Sequence, residues 1–160
     1  MKSLVVYSSQ TGNTKKLADA VFETLTGEKE IHLIKDAPAP DEFDLVAVGF
    51  WTMAGKPDPK SSEYLEKIGE KSLFLFATHG AAKESDHAKN AMNHAKNLAP
   101  KAKIVGMYNC QGEVNPAVLE KVRAKPEPPV WLTDAPDAVT HPDKSDIDKL
   151  KRLVSASGLE

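Results

Sequence analysis

Leu4-Val5-Val6-Tyr7-Ser8-Ser9-Gln10-Thr11-Gly12-Asn13-Thr14, followed by Lys15 through Leu25, is the stretch whose reading decides the fold. The short, β-branched apolar run at its start predicts a buried strand. A hydroxyl-rich turn with one glycine comes next. Leu17, Ala18, Val21, Phe22 and Leu25 then fall on one face of a predicted helix. A strand, a turn and a helix start bring free backbone N–H groups and the positive end of the helix dipole to one spot, where an anion is stabilised. Ser9, Thr11 and Thr14 add hydroxyl donors, Gly12 permits close backbone approach, and Ser8, Gln10 and Asn13 complete the candidate ligand set.

The turn lacks the lysine of GxxxxGK[ST], so a nucleoside triphosphate with Mg²⁺ fits poorly. It also lacks the glycines of GxGxxG that a pyrophosphate calls for. Neutral hydroxyls and amides suit a single terminal phosphate. Ser9-x-Thr11-Gly12-x-Thr14, directly after a first strand, resembles the phosphate loop of the flavodoxin family, which holds the phosphate of FMN.

Working outward, the 160 residues are expected to form one domain, spanning 1–160, large enough for a central sheet covered on both faces. A net charge of −2 does not favour nucleic acid or a membrane surface. The apolar run stops at Ser8, too short for a signal peptide or a membrane span, so a cytoplasmic location is expected. The single cysteine, Cys110, excludes an internal disulfide. The five histidines show no paired-ligand spacing, so no metal site is expected.

Residues 30–35 alternate as an outer strand would, and 36–40 carry two prolines and read as a loop. Residues 43–49 are apolar throughout, as a central strand is, and run into a long irregular connection over 50–59. A helix over 61–69 precedes the most apolar strand, 72–77, and a loop at 78–83 precedes a helix over about 84–98. A fifth strand covers 103–108, with 110–114 either loop or strand extension. Pro116 opens a short helix, residues 125–142 form a proline-rich surface excursion, and a last helix starts near Pro142 or Asp143. Five strands alternating with helices specify an α/β, doubly wound parallel sheet with helices on both faces. The flavodoxin-like order 2-1-3-4-5 is the simplest solution, with ligands at the carboxyl ends around the switch point.

That topology gathers three loops and a strand end. The second loop offers Phe50 and Trp51, aromatic in a chain only 6% aromatic, as platforms for a flat ligand; Phe50 is equally placed to pack into the core. Thr52, Met53, Ala54 and Gly55 follow. In flavodoxins a peptide flip in this loop stabilises the one-electron reduced flavin, and the resemblance implies Met53-Ala54 or Ala54-Gly55 as the peptide. The third loop, Thr78, His79, Gly80 and Ala81, matches flavodoxins in position, where its amides would contact the pyrimidine edge. It lacks the tyrosine and the acidic residues common there. His79 reads either as a flavin contact or as an ordinary surface histidine. Cys110, Gln111 and Gly112 end the fifth strand on the same edge and join the candidate cofactor-binding set, with Gln111 and Gly112 expected to close one side of the pocket. Cys110 reads as a buried structural cysteine, since no phosphatase-type loop follows it. The Thr-His-Gly-Ala and Cys-Gln-Gly segments also resemble flavodoxin-like proteins of anaerobes, some associated with bilirubin reduction; the functional expectation does not rest on that.

The resemblance implies a low-potential electron carrier that binds FMN noncovalently and shuttles electrons between redox protein partners with no catalytic side chain; a monomer is expected, and the net charge of −2 leads to no expected nucleic acid or membrane partner. An FMN-dependent reductase of quinones or other small electrophiles is the alternative, with residues 125–142 as the only unassigned material for a substrate pocket. A flavin-free docking or signalling module on the same fold is the third. A phosphoacceptor receiver is disfavoured, because Ser8-Ser9 and Gly49-Phe50 stand where its acidic residues belong.

Overall fold

The computed structural model describes residues 2–9, 12–53, 55–79, 86–113, 116–128, 132, 136 and 139–157, with backbone alone at 53, 116 and 118. In chain order these form β1 (Lys2–Tyr7), α1 (Asn13–Thr24), β2 (Glu28–Leu33), two short 3-10 turns, β3 (Leu45–Met53), β4 (Lys56–Pro57), α2 (Pro59–Glu66), β5 (Ser72–His79), α3 (Asp86–Leu98), β6 (Lys103–Gln111), α4 (Pro116–Arg123) and α5 (Lys144–Ala156). The sheet runs β2-β1-β3-β5-β6, every neighbouring pair parallel. With the two-residue β4 set aside, this is the expected 2-1-3-4-5 order.

The two-residue period of a strand sorts its side chains between the faces. Val5 and Tyr7 join Leu17, Val21, Phe74, Phe76, Leu150 and Val154, so α1 and α5 cover one face. Leu4 and Val6 join Val48, Phe50, Leu75, Tyr64, Leu65, Met92 and Ala95, so α2 and α3 cover the other. Phe50, Phe74 and Phe76 are fully buried, and each such side chain contributes on the order of 2–3 kcal/mol of transfer free energy.

Three strands run further at their carboxyl ends than local patterning predicts. β3 continues through Phe50-Trp51-Thr52-Met53, where an irregular connection is expected, because those residues gain partners on two sides. Phe50 and Trp51 pair with Ala77 and Thr78 of β5. Thr52 and Met53 pair antiparallel with Pro57 and Lys56, and Gly55 turns the hairpin at φ 76°. β5 likewise extends to His79, which pairs with Gln111 of β6, so Thr78 and His79 are strand and not loop residues. β6 takes the strand-extension alternative as far as Gln111. β2 stops at Leu33, two residues short of its expected end, since its partner β1 ends at Tyr7 opposite Leu33. Pro40 starts a 3-10 turn instead of ending an element, its fixed φ suiting a first helical position.

Helix ends follow capping chemistry. Asp58 caps α2, accepting from the Ser61 amide at 3.3 Å and its hydroxyl at 2.8 Å. Asp143 caps α5 in a reciprocal capping box with Asp146, and His141 pairs with the same Asp146 carboxylate. The ligand atoms of His141, Asp143 and Asp146 lie within 4.8 Å of one another. The cap's own hydrogen bonds account for that grouping. Among the described residues, no helix is long and apolar enough to cross a membrane.

Candidate functional site

The site is built at the carboxyl ends of β1, β3, β5 and β6. Backbone register sets it: Tyr7 lies beside Gly49, Trp51 beside Thr78, Thr78 beside Cys110 and His79 beside Gln111. Ser8 continues from β1, its amide donating to the Gly49 carbonyl at 3.0 Å. Parallel strands with crossovers on both faces leave a crevice on this edge, where neighbouring connections go opposite ways.

The turn after β1 enters α1 through Gly12, at φ 88°, a left-handed conformation that glycine adopts without steric cost. Among the described residues no side chain caps α1, and no acidic residue stands in its first turn, whereas aspartates cap α2 and α5. A Cβ built on Gly12 would meet nothing within 4 Å. The Ser9 hydroxyl accepts from the Gly12 amide at 2.9 Å, folding the turn back on itself. Lys15 donates to Asp19 at 2.9 Å one turn along, and its pKa is raised by that bond. The hydroxyls and amides that Ser8, Ser9, Gly12, Asn13 and Thr14 bring to the turn and the helix start are neutral groups, as the sequence leads one to expect.

Thr14 is buried at 1% exposure, and its Oγ1 lies 3.0 Å from that of Thr78, itself 5% exposed. Asn13 Nδ2 donates to the Glu113 carbonyl at 3.0 Å, and the Gly112 amide donates to the His79 carbonyl at 2.9 Å. A Cβ on Gly112 would stand 3.0 Å from Asn13 Nδ2 and 3.1 Å from the Thr78 Cβ. The exit of β6 can approach α1 this closely because residue 112 is glycine. Gly112 thus stands against Asn13 in the first turn of α1, and Gln111 ends β6 beside His79.

The two aromatic residues part company. In an extended strand adjacent side chains point to opposite faces, so a β3 that reaches Met53 presents only one of them to the crevice. Phe50, expected as a stacking platform or a core residue, is fully buried among Val48, Leu65 and Ala77. Trp51 is half-buried, and its Nε1 donates to the Ser8 hydroxyl at 3.2 Å. Its indole therefore stands next to the turn that leaves β1. Thr52 is half-buried one residue on, and Gly55 sits at the hairpin tip near His87 of α3.

His79 is not on an exposed loop. It ends β5 at 5% exposure, and its Nε2 lies 2.9 Å from the Asn109 carbonyl oxygen Oδ1. Asn109 escaped the sequence reading. Counting back two from Gln111 along β6 places it on the same face, and a polar residue near the end of an otherwise apolar strand is the signal that marks it. Cys110 is buried at 1% beside Tyr7 and Leu150, a structural cysteine as expected. Gln10, Thr11, Ala54, Gly80 and Ala81 lie outside the described residues, as does the Met53 side chain.

A family model described as a flavodoxin domain matches residues 4–155. The chain belongs to the flavodoxin family. A flavodoxin-like domain-containing protein, BilS, of Clostridioides difficile (strain CD3) is 31% identical over 159 residues, covering 92% of this chain and 90% of that protein. Among solved structures, oxidised flavodoxin 2 from Bacillus cereus superposes with a TM-score of 0.66 at 17% identity, covering 99% of this chain and 98% of that one. A flavoprotein from Lactobacillus acidophilus NCFM, solved in complex with FMN, does so with a TM-score of 0.56 at 16% identity, covering 68% and 92%. At these identities the superpositions speak to the flavodoxin fold alone. The geometry of the site in this chain rests on the Trp51–Ser8 bond, the contact between Thr14 and Thr78 and the glycine at 112.

Proposed function

We propose that this flavodoxin-family chain binds FMN noncovalently and carries electrons between redox protein partners in the cytoplasm. The observation that carries the reading is the start of α1: a left-handed glycine, no capping side chain among the described residues and no acidic residue in the first turn, with an indole anchored to Ser8 of the same turn. Backbone amides at such a helix start suit a phosphate, and a half-buried indole suits a flat ring. The residues present fit FMN.

Ser8, Ser9, Gly12, Asn13 and Thr14 would hold the phosphate, together with Gln10 and Thr11. Trp51 would stack on the ring system, with Thr52 to Gly55 beside it and the ends of β5 and β6 along its polar edge. Bound FMN supplies transfer of electrons singly or in pairs. The chain's own residues bind it, orient it and exclude water from one side. Electron transfer by the flavin needs no side chain as general acid or base, which favours a carrier over a substrate-transforming enzyme.

The test is the visible spectrum of the purified protein together with titration of flavin-stripped protein with FMN. A flavin spectrum and saturable quenching of FMN fluorescence are expected. Protein that stays colourless and leaves added FMN fluorescent would defeat the reading. Oxidation of NADPH by the protein alone would point to a reductase instead of a carrier.

A further inference from the structure

Two buried hydroxyls meet between α1 and β5, and their chemistry with an anion is constrained. Thr14 Oγ1 and Thr78 Oγ1 are 3.0 Å apart, 64 residues distant in sequence. Each hydroxyl carries one proton and can accept as well as donate. A phosphate at the start of α1 only accepts. If Thr14 gives its proton to that phosphate, the contact between the threonines must be donated by Thr78.

We propose that Thr78 is a positioning residue for phosphate recognition: it donates to Thr14, turns the Thr14 proton toward the anion, and so makes the protein prefer phosphorylated over unphosphorylated flavin. The inference rests on the FMN reading above. Thr78 is well held for the task. Its backbone is laddered on both sides, to Trp51 of β3 and Cys110 of β6, so its hydroxyl has little freedom to follow α1. Gly112 sits against it and against Asn13, where an added Cβ would stand 3.1 Å from the Thr78 Cβ and 3.0 Å from Asn13 Nδ2 and would press on both. Donation into the Thr14 oxygen also polarises the Thr14 O–H bond, which strengthens its bond to an acceptor in a buried setting. The relay runs from Thr78 to Thr14 to the anion, with neutral groups throughout.

The experiment titrates flavin-stripped protein with FMN and, separately, with riboflavin, following fluorescence quenching. Thr78→Val, which keeps the side-chain shape and removes the hydroxyl, is expected to weaken FMN binding about five- to tenfold while changing riboflavin binding by less than about twofold. Thr78→Ser, which keeps the donor, is expected to retain the wild-type preference for FMN. Thr14→Val with Thr78→Val is expected to be no weaker for FMN than Thr14→Val alone, since a relay cut once is already cut. Should Thr78→Val not fold, Thr78→Ala against Thr78→Ser reads the same FMN-to-riboflavin ratio. Equal losses for both flavins, an unchanged FMN affinity, or a Thr78→Ser variant as impaired as Thr78→Val would overturn the proposal. Wild-type protein that binds neither flavin would instead remove the FMN reading on which it stands.

Discussion

Trp51 donates its indole N–H to the Ser8 hydroxyl across 3.2 Å, joining the end of β3 to the turn that leaves β1. One side chain from the switch-point strand is thereby set against the turn that offers the helix start. This bond orders the ring before any ligand arrives, and ordering in advance lowers the entropic cost of binding.

Removing the ring tests its place in the site. Trp51→Ala is expected to raise the fluorescence of bound FMN severalfold, because a stacked indole quenches flavin emission. Ser8→Ala leaves the ring but frees it, and a smaller rise is expected. Bound flavin equally dim in wild type and Trp51→Ala would place the indole away from the flavin.

The phosphate turn has its own signature. Thr11→Val with Thr14→Val is expected to weaken FMN binding by at least tenfold and riboflavin binding far less, since hydrogen bonds to a charged group contribute about 1.5–3 kcal/mol each. Isothermal titration with both ligands reads the difference. Matching losses would mean the turn holds something other than the phosphate.

Phe50 and Trp51, neighbours in sequence, should fail in different ways. Phe50 has no exposed surface and belongs to the α2/α3 face of the core, so Phe50→Ala is expected to cost about 3–5 kcal/mol in urea unfolding. Trp51→Ala should cost markedly less stability in the flavin-free protein. A Phe50→Ala protein as stable as wild type would contradict its burial.

Gly49 is where β3 passes under an aromatic ring. A Cβ at this position would lie 2.1 Å from Phe76 Cε2, well inside contact distance. Gly49→Ala is expected to lose about 1–3 kcal/mol through overpacking, with part of the loss restored in the Gly49→Ala, Phe76→Leu double variant. Chemical denaturation of the four proteins completes the cycle. A double variant with the two losses simply summed would leave the ring contact without effect.

Acid should loosen the cap of α5. The Asp143 carboxyl is held below its ordinary range chiefly by the Asp146 amide, against an opposing effect of desolvation, with His141 adding to the lowering. A carboxyl lowered on folding adds stability that is complete above its unfolded value, near pH ~4, and fades as pH falls through the folded one. Hydrogen exchange of α5 amides is expected to quicken below about pH 4. Asp143→Ala is expected to lower the melting temperature at neutral pH and to flatten that acid response. An unaltered acid profile in the variant would take the role from Asp143.

What the order of residues determined by itself was everything local. The run from Leu4 to Thr14 specifies strand, turn and helix start through β-branching, a single glycine and hydroxyls. Alternating apolar segments then specify a parallel sheet, and the sheet order puts the loops on one edge. The tertiary structure alone decided where the strands stop and therefore which side chains face the crevice. Local pattern leaves Phe50 open between platform and core; the ladder to β5 and the hairpin with β4 keep β3 extended, sending Phe50 to the core and Trp51 to Ser8. Thr78 and His79 became strand residues because β3 and β6 both outlast the apolar run and lend them hydrogen-bond partners. The meeting of Thr14 with Thr78 belongs to the same class. It spans 64 residues, and a contact of that kind depends on how a helix packs across a sheet, which no local spacing encodes.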